Sequence, residues 1–104
     1  MDLLKKLNDC AARYEEVQKL VMDPELIKDP KKYKETMREH SYLSKLMEEY
    51  AHYCRFEQEI VQTRALIQEE TDHELKEMAR EELHTLETQL EQSREHLKVL
   101  LIPP

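Results

Sequence analysis

The chain has 104 residues, a net charge of −7, charged side chains at 38% of positions, and no glycine. At ordinary usage about seven glycines would be expected, and without them positive-φ hairpin turns, phosphate-cradling loops and dinucleotide folds lose their usual backbone. The acidic balance argues against direct binding of RNA or DNA phosphates: Lys5-Lys6 and Lys31-Lys32 are the basic pairs, and neither extends into a basic face.

A first helix is expected over about residues 2–22. Leu3, Leu7, Cys10, Tyr14, Val17 and Val21 recur at alternating steps of four and three, a heptad stripe that lays one helix along another. The stretch Asp23-Pro24-Glu25-Leu26-Ile27-Lys28-Asp29-Pro30 then breaks it. Each Asp-Pro reads as an N-cap followed by a proline at the first helical position, with a short helical turn between them.

The second helix should run from Pro30 to about residue 70. Its seam reads Leu43, Met47, Tyr50, Cys54, Val61 and Ala65, and a row of Leu46, Tyr53, Ile60 and Ile67 lies beside it. Two adjacent rows suit a helix with more than one neighbour. Thr71-Asp72-His73-Glu74 has the form of a capping box with Thr71 as the cap, restarting the chain as a third helix over about 72–101. There Ala79, Leu83, Leu86, Leu90, Leu97 and Leu100 form a seam in which Ser93 is the polar step. The closing run Leu100-Leu101-Ile102-Pro103-Pro104 reads as cut from something longer.

At 1.5 Å per residue the three helices span about 30, 60 and 45 Å. The expected fold is all-α, one domain over residues 1–104: an elongated, coiled-coil-like antiparallel hairpin with the shorter N-terminal helix packed at its base. Folding back around residue 26 sets Cys10 near residue 42, so the first helix covers the near half of the second. The far half is then a two-helix hairpin with one face poorly covered. Cys10 falls about 18 Å along the axis from Cys54, beyond the ~7 Å Cα limit of a disulfide. Both cysteines read as free, buried, unreactive thiols in a reduced, cytosolic protein. No stretch approaches the ~20 apolar residues of a membrane span, and no signal peptide opens the chain.

Chemistry-bearing motifs are sparse. Glu49/His52, Glu70/His73 and Glu81/His84 share the Glu-x-x-His spacing of di-metal bundles, but the periodicity puts Glu81, His84, Glu49 and His52 off the seams, on a solvated face. Ser41, Ser44 and Ser93 lack a glycine-framed elbow. No catalytic, cofactor-binding or metal-ligating residue is expected, and the five tyrosines read mainly as packing residues. Apolar side chains on thinly covered faces of the second helix (Tyr53, Phe56, Ile60, Leu66 and Ile67) make a candidate surface for a partner or for weak, salt-favoured two-fold pairing.

Several segments together resemble the amino-terminal domain of bacterial peptide chain release factors, and among them those reading UAA and UAG. The matching residues are Arg13-Tyr14-Glu15-Glu16, Asp23-Pro24-Glu25 with Asp29, and Glu39-His40-Ser41-Tyr42-Leu43. They continue with Asp72 through Leu83 and close with Leu97 through Pro103. The resemblance implies a non-enzymatic domain that reaches toward the ribosomal stalk base and helps to place the factor. It adds the methyltransferase of the family's catalytic Gln as a second partner. The Gly-Gly-Gln hydrolysis motif and the codon-reading tripeptide of the family are absent, so this chain is expected neither to hydrolyse peptidyl-tRNA nor to decode. A generic cytosolic coiled-coil adaptor is the alternative.

Overall fold

Three aspartates start the helical segments of the first half. In the computed structural model, which describes residues 2–102, Asp2 accepts from the Leu4 N–H at 3.1 Å and opens α1, Leu3–Val21. Asp23 accepts from Glu25 N–H at 3.0 Å and caps a 3₁₀ turn over Pro24–Lys28. Asp29 accepts from Lys32 N–H at 3.2 Å at the start of α2, Pro30–Glu69. Each carboxylate satisfies an orphan donor, and both prolines sit where no intrahelical N–H is required. Pro103 and Pro104 of the closing run lie outside the described residues.

The third start differs from the capping box by one residue. α3, His73–Leu100, is capped by Asp72, whose Oδ1 accepts from Glu74 N–H at 2.9 Å and Leu75 N–H at 3.2 Å. The Asp72 N–H is in turn taken by the Glu70 carboxylate at 2.9 Å. A charged acceptor at the positive end of a helix displaces the neutral Thr71 hydroxyl from that role.

The chain divides into two compact units, one up to Glu48 and one from Glu49 to Ile102, with α2 running continuously through the division. In the first unit Leu7 and Val17 of α1, Leu26 of the 3₁₀ turn, and Thr36, Leu43 and Leu46 of α2 are buried. The α1 stripe is therefore its inner face, as the heptad spacing required. Fold-back about residue 26 also holds: Arg13 of α1 hydrogen-bonds Glu39 of α2, and the two residues lie equally far in sequence from residue 26.

The second unit is an antiparallel pair of the distal part of α2 and α3. Ala79, Leu86, Ser93 and Leu97 are buried, with Leu83, Leu90 and Leu100 half-buried, so the α3 seam stands as the sequence placed it. For α2 the expected seam is corrected. Cys54, Val61 and Ala65 are exposed, whereas Ile60 is buried and Tyr53 and Ile67 are half-buried. The second row, not the first, faces α3. No described helix is long and apolar enough to cross a membrane.

Candidate functional site

Two segments that carry the family resemblance meet across the first unit. Arg13 donates through Nε and Nη2 to the two Glu39 carboxylate oxygens at 2.7 and 2.8 Å, and through Nη1 to Glu16 at 3.1 Å. The Tyr14 and His40 rings lie 5.6 Å apart, the Tyr14 hydroxyl is 3.2 Å from Ser44 Oγ, and His40 Nε2 is 2.8 Å from Gln18 Oε1. The Arg13 guanidinium holds the Glu39 carboxyl below its ordinary range. These side chains join α1 to α2 and fix the register of the one on the other.

A second polar cluster occupies the seam of the second unit. The Glu49 carboxylate, with a side chain only 19% exposed, accepts from Ser93 Oγ at 3.1 Å and lies 3.1 Å from His96 Nδ1. Expected as a solvated residue, Glu49 instead faces α3. The cause is the rotation of α2: Glu49 lies three residues after Leu46 and four before Tyr53, hence on their face. His52 and Phe56, both half-buried, line a groove with Glu49, Ser93 and His96, and the Arg55 guanidinium carbon stands 5.6 Å from the Phe56 ring centroid.

Of the other Glu-x-x-His pairs, Glu70 serves the α3 turn, and His73, Glu81 and His84 are exposed. No group of three or more His, Cys, Asp or Glu among the described residues is arranged to hold a metal ion. The cysteines are free thiols. Cys10 is half-buried, whereas Cys54, expected in the core, is exposed because its row turns away from α3.

The five apolar residues singled out on the second helix separate. Ile60 is 5% exposed, which corrects the expectation that it lacks cover; α3 supplies it. Tyr53, Phe56 and Ile67 are half-buried, and Leu66 alone of the five is exposed, at 50%. Leu66 shares a groove of about 390 Å³ with Leu75 and Met78 of α3. Sequence reasoning missed both partners. Met78 carried a usable signal, as an apolar residue off the leucine seam, whereas Leu75 sits at the seam's edge and reads there as core.

Residues 10–104 match the PCRF domain. A protein of Treponema denticola named Peptide chain release factor 1 is 61% identical over 100 residues, covering 96% of this chain and 28% of that protein. The protein of that name from Treponema pallidum (strain Nichols) is 41% identical over 102 residues, or 98% of this chain and 29% of its own. That from Bacillus licheniformis is 37% identical over 103 residues, covering 99% and 28% respectively. The chain thus spans 28–29% of the length of these curated relatives. No solved structure matches it. With the match extending over nearly all of its length, the chain belongs to the PCRF domain family.

Proposed function

We propose that this chain is the protein-docking domain of a translation termination factor and helps to place that factor on the ribosome near the stalk base. The observation that carries the reading is the 61% identity to a protein named Peptide chain release factor 1, sustained over 96% of the chain. It agrees with the open grooves that the described residues line on α2 and α3. On this reading the domain acts in the cytoplasm, without a cofactor. It carries no peptidyl-tRNA hydrolysis, since a chain with no glycine cannot contain Gly-Gly-Gln, and no stop-codon reading, since the family's codon-reading tripeptide is absent from it. The methyltransferase that modifies that Gln is the second partner proposed.

Reading the gene downstream of this chain gives one test: a Gly-Gly-Gln motif is expected there, and its absence would end the termination reading in favour of a coiled-coil adaptor. A second test adds excess chain to terminating ribosomes. No peptide release is expected, with weak competition against an intact factor; codon-dependent release by the chain alone would overturn the division of roles.

A further inference from the structure

The turn end of the second unit carries an apolar groove that no side chain of the unit fills. Leu66 of α2 and Leu75 and Met78 of α3 are 50%, 51% and 63% exposed and line it together. Single exposed hydrophobic residues are ordinary on a protein surface. Three large ones converging on one concavity form a patch of the kind that marks an interaction site. The charged side chains lining it are Glu70 and Glu82, and no Lys or Arg joins them. Around the groove, residues 66–82 hold seven carboxylates against two cations, Lys76 and Arg80, a balance of −5 within a chain of −7. Arg80 is itself paired with Glu77.

We infer that this groove receives an apolar side chain carried on a basic segment of a partner protein. The inference rests on the docking reading above and gives that reading a surface. Charge selects the occupant. A second copy of the chain would set carboxylates against carboxylates, and nucleic acid or an anionic lipid surface is repelled for the same reason. A protein segment with Lys or Arg around one or two apolar anchors satisfies both parts of the site. Its cations face Glu70 and Glu82, and its anchor lies against Leu66, Leu75 and Met78.

The test measures binding of the 104-residue chain to purified ribosomes. The Leu66→Gln/Met78→Gln double variant changes two exposed positions and keeps good helix formers; it should bind about tenfold more weakly or worse. Leu66→Met/Met78→Leu should bind as the parent does, Glu82→Lys should weaken binding, and affinity should fall as salt rises. A photo-crosslinking phenylalanine in place of Met78 should capture a ribosomal protein. Circular dichroism of each variant separates lost binding from lost fold. Unchanged affinity in the double Gln variant overturns the groove and leaves the docking reading standing. A crosslink to ribosomal RNA or to a second copy overturns the partner chemistry. Failure of the parent chain to bind ribosomes overturns the groove and the docking reading together.

Discussion

Arg13 of α1 and Glu39 of α2, 26 residues apart in sequence, are joined by two parallel hydrogen bonds of 2.7 and 2.8 Å. The geometry is the fork-to-fork pairing that only arginine offers a carboxylate, and it specifies register as well as proximity. Both side chains remain over one-third exposed, so water screens the attraction and the pair contributes little to stability.

Arg13→Lys should therefore lower the melting temperature by no more than about 2–4 °C, with acid sensitivity as the clearer readout. Because Arg13 holds the Glu39 carboxyl below its ordinary value of 4.5, its contribution is fully present above that pH. It is lost as pH falls through the lower folded-state value. Melts across the acid range should show a shallower decline in Arg13→Ala than in the parent. Identical acid limbs in the two proteins would show that the pair is not coupled to folding.

Asp72→Ala removes the acceptor for two N–H groups at the start of α3 and should destabilise by about 1 kcal/mol. Thr71→Ala should stay within about 0.5 kcal/mol of the parent. Urea unfolding of the two variants separates the observed cap from the capping box that the sequence suggests, and the reverse order of effects would restore Thr71 to the role.

Ser93 tests the polar cluster in the second unit. By periodicity alone, Leu at position 93 completes the α3 seam and ought to stabilise. In the structure Ser93 is buried and donates to Glu49, so a larger side chain crowds a packed site and deprives a partly buried carboxylate of a donor. Ser93→Leu should destabilise by about 1–3 kcal/mol, and Ser93→Ala by about 0.5–1.5 kcal/mol. A more stable Ser93→Leu protein would contradict this packing.

The two thiols should differ in reactivity. Cys54 is exposed, whereas burial and then Asp9 push the Cys10 thiol up, with Lys6 offsetting part of the shift. Titration with a disulfide reagent at neutral pH should give a fast phase that Cys54→Ser abolishes and a slow phase that Cys10→Ser abolishes. A single rate for both thiols would contradict the placement of the Cys54 row on the outer face.

Much of the candidate docking site was hidden for one reason. Reading α2 as a seam of Leu43 through Ala65 placed Tyr53, Phe56, Ile60, Leu66 and Ile67 together on an uncovered face. Pairing with α3 instead covers Ile60 and leaves Leu66 beside Leu75 and Met78. A groove built from two helices depends on their relative rotation, which neither helix encodes alone.

What the sequence determined by itself is local. Asp23 and Asp29 marked the starts of the second and third helical segments, because a cap acts on N–H groups within the next turn. The α1 stripe and the α3 leucines gave their inner faces, because each helix has one dominant apolar row. The tertiary structure decided what was degenerate within a helix. α2 carries two neighbouring apolar rows, and packing against α3 chose the one containing Ile60. That choice sent Cys54 and Val61 into water and brought Glu49 to Ser93. At the α3 start two acceptors competed one residue apart, and the charged Asp72 took the cap while Glu70 satisfied its N–H. For α2 the two rows differ by little and contacts with α3 decide between them, whereas at the α3 start the charge of Asp72 decides within the turn itself.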